Sequence, residues 1–154
     1  NNLMFAVGYA RFLNGEPGPS SATTYEDRLY EDIVLPQKLG ERVYMRYRFR
    51  YEQRWIEDQD FRTRYRYAIF MDVPLNMTTL KKGAWYLAFY NELFLNGQRN
   101  IGNGQTVEIF DRNGLCGAVG YSFSDTVRLQ IGYLYQYADD FSNGQIQLGV
   151  HQVF

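Results

Sequence analysis

Apolar and polar residues alternate with period two over residues 41–58, the pattern of a strand whose two faces meet different surroundings. One face carries Val43, Met45, Tyr47, Phe49, Tyr51, Gln53 and Trp55, and the other carries Arg42, Tyr44, Arg46, Arg48, Arg50, Glu52 and Arg54. A helical period would mix the two sets, so the spacing predicts a strand. The next run repeats the scheme, with Phe61, Thr63, Tyr65, Tyr67, Ile69, Met71 and Val73 opposed to Arg62, Arg64, Arg66, Ala68, Phe70 and Asp72. The two runs predict a hairpin.

Similar runs follow. Trp85, Leu87, Phe89 and Leu93 oppose Ala84, Tyr86, Ala88, Tyr90 and Glu92, and Val119, Tyr121 and Phe123 oppose Cys116, Ala118, Gly120 and Ser122. Val127, Leu129, Ile131, Tyr133, Tyr135 and Tyr137 oppose Arg128, Gln130, Gly132 and Gln136. Finally Ile146, Leu148, Val150 and Phe154 oppose Gln145, Gln147, Gly149 and His151. Residues 3–12 also read as a strand. In residues 25–35 the register is ambiguous, because Asp27 and Glu31 share a face with Leu29 and Ile33. About eight strands and no helix are expected, in one domain, each strand long enough to cross a bilayer at a tilt of the kind barrel strands adopt.

The connections sort by side. Segments 14–24, 56–60, 96–109 and 139–143 alternate along the chain with 36–40, 74–83 and the tight Ser124-Asp125, which places the larger insertions at one end. Outer-membrane barrels show that asymmetry. Trp55 and Trp85 then fall near opposite rims, and with Tyr133, Tyr135 and Tyr137 they are the candidates for an aromatic girdle.

Alternation alone does not say which face is wet, and a soluble barrel or sandwich with an aromatic core is the competing fold. Volume separates the two. An eight-stranded barrel has an interior just wide enough to be filled by side chains, whereas the apolar face here is bulky at nearly every position. The opposite face mixes Gly and Ala with long Arg, Glu and Gln, a combination suited to a narrow polar lumen. The expected fold is therefore an all-β, transmembrane, antiparallel up-and-down β-barrel with lipid outside. Reversing the register of residues 41–58 would set arginines against hydrocarbon at about 2–4 kcal/mol each near the midplane.

Composition agrees with a wall of rings. The 154 residues include 14 Tyr and 11 Phe with only 21% charged residues, which fits neither a disordered chain nor a helical membrane protein. A net charge of −1 gives no electrostatic pull toward nucleic acid. The start, Asn1-Asn2-Leu3-Met4, has no charged leader region, so a mature or truncated chain is expected. One cysteine, Cys116, allows no internal disulfide.

The chain ends Gln147-Leu148-Gly149-Val150-His151-Gln152-Val153-Phe154, and Gly149 with the terminal Phe154 looks like the C-terminal signal by which outer-membrane barrels are recognised for insertion. Gln152 departs from it, since a large apolar residue is usual there. Arg50-Tyr51-Glu52-Gln53-Arg54, Tyr90-Asn91-Glu92, Asp111-Arg112-Asn113, Gly120-Tyr121-Ser122-Phe123 and Gly132-Tyr133-Leu134-Tyr135-Gln136 together resemble a family of bacterial outer-membrane barrels of unknown function. The match runs through most of the chain, and its specificity comes from order and spacing. The resemblance implies further N-terminal strands, which would make a complete barrel of about ten to twelve; without them, eight strands already satisfy the even-number rule. It implies no catalytic residue.

Candidate chemistry is sparse. His151 is the only histidine, which excludes a multi-histidine metal site and leaves a lumen or rim imidazole. Neither Asn14-Gly15-Glu16-Pro17-Gly18-Pro19 nor Gly102-Asn103-Gly104 precedes a helix that could seat a phosphate, so both are expected to be surface loops. The constellation of interest is the basic cluster Arg46, Arg48, Arg50, Arg54, Arg62, Arg64 and Arg66. It is expected either to be neutralised by Glu52, Asp72 and Glu92, with Glu26 and Asp32, or to form an anion path.

The functional expectation is a non-enzymatic barrel of the Gram-negative outer membrane, a structural or accessory subunit with no cofactor and no bound metal. Its expected partners are outer-membrane lipid and lipopolysaccharide, the barrel-insertion machinery during assembly, and a larger membrane-protein complex. The alternatives are a narrow anion-preferring pore and, behind it, a barrel enzyme acting at the membrane surface.

Overall fold

The structure, a computed structural model, describes residues 2–15, 23–139 and 141–152. Its strands are β1 (Met4–Gly15), β2 (Thr23–Leu39), β3 (Val43–Ile56), β4 (Arg62–Pro74), β5 (Trp85–Asn96), β6 (Asn100–Gly102), β7 (Gln105–Thr106), β8 (Phe110–Ser122), β9 (Val127–Tyr137) and β10 (Ser142–Gln152). No helix occurs among the described residues. Eight strands form one antiparallel sheet in the order β1-β2-β3-β4-β5-β8-β9-β10, and β6 and β7 make a small hairpin inside the β5–β8 connection. The sheet curls into a half-barrel whose edge strands, β1 and β10, are not paired with each other.

The period-two pattern dictates the curl. In β3 and β4 the rungs Tyr51↔Tyr65 and Phe49↔Tyr67 alternate with Glu52↔Arg64 and Arg50↔Arg66, so one face is all rings and the next is all charge. Glu52, Arg54, Arg62, Arg64 and Asp72 are buried, whereas Phe49, Trp55, Tyr65 and Tyr67 are exposed. The concave face is therefore the charged one, the reverse of a water-soluble sandwich. Small residues let the long ones fit: Gly120 lies under the buried Tyr86 ring, and Gly132 lies against Ala118. An apolar patch of the interior is Tyr86, Ala88 and Ala118, with Leu80 of the 75–84 connection packed on it.

Strand β2 resolves the ambiguous register. Glu26 and Asp32 turn inward and are buried, while Asp27 and Glu31 stand on the outer face with Leu29 and Ile33. Asp27 accepts a hydrogen bond from the Tyr9 hydroxyl and lies 3.6 Å from Arg11, so one of the two outward acids has partners.

Two expectations about connections are corrected. Residues 36–40 are not a loop: β2 pairs with β3 as far as Leu39↔Val43, and the turn is residues 40–42 with Gly40 at φ +59°. Pro36 is tolerated because β1 stops at Met4↔Val34, leaving β2 an edge there, where a missing N–H can face an unpaired side. The larger connections are not all at one end either. Residues 75–84, at the end opposite the 97–109 connection, form a long segment pinned by bonds from Tyr44 Oη to Thr78 O (3.0 Å) and Ser122 Oγ to Leu80 O (3.1 Å). The 97–109 connection is itself ordered: β6 and β7 dock on the β3–β4 turn through Asp60 N to Ile101 O (2.8 Å) and Asn103 Nδ2 to Asp58 O (2.8 Å).

Candidate functional site

Interior charges of β2–β5 form a continuous network because the antiparallel register puts acids and guanidiniums on neighbouring rungs. At its centre Glu52, fully buried, accepts from Arg64 Nε (2.7 Å) and Arg66 Nη1 (2.8 Å), with Arg28 at 3.6 Å and Arg50 at 3.9 Å. Around it Arg54 makes a two-pronged bond to Glu26 (2.6 and 3.0 Å), and Arg50 makes one to Asp32 (2.8 and 2.6 Å). Glu92 takes Arg48 (2.6 Å) and Arg66 (2.7 Å). Such two-pronged, charge-assisted bonds are the strong class, and Glu52, Glu26 and Glu92 each offset the desolvation of more than one guanidinium.

Rings hold the guanidiniums flat. Arg50 lies over Tyr30 (4.0 Å to the ring centre), while Arg66 and Arg112 lie over Phe94 (4.5 and 4.6 Å). These stacks use the few aromatic residues that point inward.

Not every member of the basic cluster is neutralised by an acid. Arg62, nearly buried, donates to Gln59 (2.8 Å) and Asn96 (3.2 Å), both neutral. Among the described residues Arg46, the most exposed of the seven, has as its acid only Asp72 at 3.4 Å, and Asp72 also has Arg128 at 3.9 Å. Arg62 apart, the ion pairs are dense toward the β6–β7 end and dilute beside the 75–84 end.

Trp55 and Trp85 sit at opposite ends of the outer surface, Trp55 near the end of β3 and Trp85 at the start of β5. Each has an aromatic neighbour, Phe61 at 5.3 Å and Tyr121 at 4.9 Å. Of the three β9 tyrosines only Tyr137 ends its strand, and it lies beside Phe110. Tyr133 is mid-strand opposite Gly117. Gly149 faces inward beside Gln130, and Phe154 lies outside the described residues.

Sequence reasoning missed several interior residues. Arg28, Asp111 and Arg112 join the network, Asp111 through Arg64 Nη1 at 3.2 Å. Asp111 escaped because a register irregularity opposite Phe94 and Leu95 breaks the alternation there. On the outer face Asn91 and Asn113 exchange amide bonds (2.6 and 3.2 Å) and so satisfy each other. The adjacent positions in the sequence carried no signal for that pairing.

Chemically the interior offers donors, acceptors and fixed charge. Among the described residues no three His, Cys, Asp or Glu side chains converge as metal ligands, and Cys116 is a buried free thiol. His151 stands opposite Arg128 on the last rung but one of β10.

Fold and interior together define an all-antiparallel half-barrel with an apolar outside and a salt-bridged inside. The chain belongs to the family described as "Protein of unknown function (DUF2490)", whose family model matches residues 1–147. No curated protein and no solved structure matches it.

Proposed function

We propose that this chain forms the wall of a transmembrane β-barrel in the bacterial outer membrane and serves there as a non-enzymatic structural or accessory subunit. The observation that carries the proposal is the inverted burial: rings and branched side chains cover the convex face while buried ion pairs fill the concave one. Water-soluble proteins seldom expose so continuous an apolar surface, whereas hydrocarbon favours it. Within the sheet the antiparallel strands satisfy one another's backbone groups, and in a bilayer the unpaired edges of β1 and β10 would be closed by further strands. The dense network supports a supporting role over transport, because crosslinked side chains crowd the concave face beside the β6–β7 end and Leu80 packs on its apolar patch at the other.

Fractionation and detergent extraction test both halves. The chain should sediment with outer membranes, require detergent to stay monodisperse, and co-purify with a stoichiometric protein partner. A chain that remains monodisperse without detergent would refute the membrane half. One that leaves the membrane alone would refute the accessory role.

A second function, a narrow anion-preferring pore, is favoured by one observation, the weakly neutralised Arg46 and Arg128 about a single Asp72. Planar-bilayer recordings distinguish it: anion-selective conductance supports a pore, and silence or cation preference removes it.

A further inference from the structure

The dilute end of the network differs from the rest in what it leaves unused. Among the described residues Asp72 is the only carboxylate lining a concavity of about 700 Å³ that is also bordered by Arg46, Arg48, Tyr90, Gln147 and His151. Its ion pairs are long, 3.4 Å to Arg46 and 3.9 Å to Arg128, against 2.6–2.8 Å for the bonds that Glu52, Glu92 and Asp32 accept elsewhere. Two guanidiniums therefore share one poorly placed acid. Nearby, Arg48 spends its Nη2 on Glu92, and its buried Nε has no hydrogen-bond partner. The Gln147 carbonyl oxygen accepts from the Tyr90 hydroxyl (3.2 Å), which leaves the carboxamide NH₂ free to donate elsewhere.

The cavity thus offers donors and positive charge, with Asp72 its one anionic side chain among the described residues. Phe70 lies beside both Arg46 (5.2 Å to the ring centre) and Arg48 (5.4 Å), so the two guanidiniums share one ring, while Arg46 has its Asp72 pair only at 3.4 Å. Partly buried like charges in that state are stabilised by an anion.

We propose that this concavity binds an oxyanion, the phosphate or carboxylate group of a small molecule, through Arg46 and Arg48, with Gln147 and His151 as further donors. Its volume lies within the range of small-molecule pockets and exceeds what a bare phosphate fills, so the anion is one end of a larger ligand. The site uses only the inner face and does not depend on whether the outer face meets lipid.

Calorimetric titration of the purified chain in non-ionic detergent tests it, with inorganic phosphate and citrate as soluble probes and micelles doped with phosphatidylglycerol as the lipid probe. Saturable binding of a soluble probe assigns the site to a free anion, and saturation by the doped micelles alone assigns it to a headgroup. Either supports the proposal only if two substitutions move affinity in opposite directions. Arg46→Gln should weaken binding about tenfold, the effect of one lost charge-assisted bond, and Asp72→Asn should tighten it by removing the competing internal anion. The neutral Asp72→Asn variant keeps a hydrogen-bonding group in place, so it remains informative if Arg46→Gln fails to fold. Absence of saturable binding by every probe, or an Asp72→Asn variant that binds no tighter than the parent, overturns the site.

Discussion

Removing the Glu52 carboxylate is the most direct test of whether interior ion pairs hold the half-barrel together. Glu52 is fully buried and receives two short charge-assisted bonds, from Arg64 (2.7 Å) and Arg66 (2.8 Å), with Arg28 and Arg50 within 4 Å. Glu52→Ala deletes both bonds and leaves four guanidiniums facing one another. Breaking a buried pair from one side costs about 3–5 kcal/mol. Each arginine keeps a second acid, Asp111 for Arg64, Glu92 for Arg66, Glu26 for Arg28 and Asp32 for Arg50, which puts the expected loss near the lower bound, about 3 kcal/mol. The assay is urea unfolding in micelles, followed by fluorescence of Trp55 and Trp85. Glu108→Ala is the control, because its 2.6 Å pair with Arg99 is exposed on both sides and should be worth less than about 1 kcal/mol. Should Glu52→Ala cost no more than Glu108→Ala, the interior network is not what holds the strands in register.

Three further substitutions probe the two faces. Ile131→Arg, on the exposed middle of β9, should destabilise the chain by about 2–4 kcal/mol in lipid vesicles if that face meets hydrocarbon, and by no more than about 0.5 kcal/mol if it meets water. Glu31→Leu replaces an outward carboxylate flanked on its strand by Leu29 and Ile33; refolding into vesicles should yield a variant more stable than the parent by about 1 kcal/mol, and a loss of stability would mean that Glu31 has a protein partner. Gly120→Ala introduces a methyl into the space taken by the buried Tyr86 ring and should cost about 1–3 kcal/mol in denaturant unfolding, whereas a neutral effect would show that the interior there is loosely packed.

Much of the fold is written in the order of residues, because a period of two fixes both the strand and its faces. The Arg-bearing runs of β3 and β4 announce themselves as a hairpin with one charged side, and pairing them needs only a short turn. The basic cluster was legible for the same reason. Which acid meets which guanidinium was not, since Glu26 to Arg54 and Glu92 to Arg48 are set by strand order, register and sheet curl. The faces of β2 were also undecided locally: carboxylates occur on both, and only alignment with β1 and β3 places Asp32 inside and Glu31 outside.

The half-barrel's chemistry divides along the same line. Alternation by itself determined that one side of the sheet would be rings and the other guanidiniums. Tertiary structure decided that Glu52 meets Arg64 and Arg66 closely while Asp72 makes only longer pairs with Arg46 and Arg128, because distance across a curved sheet depends on every rung between. Charge is a property of a residue, but whether it is neutralised depends on neighbours brought from elsewhere in the chain.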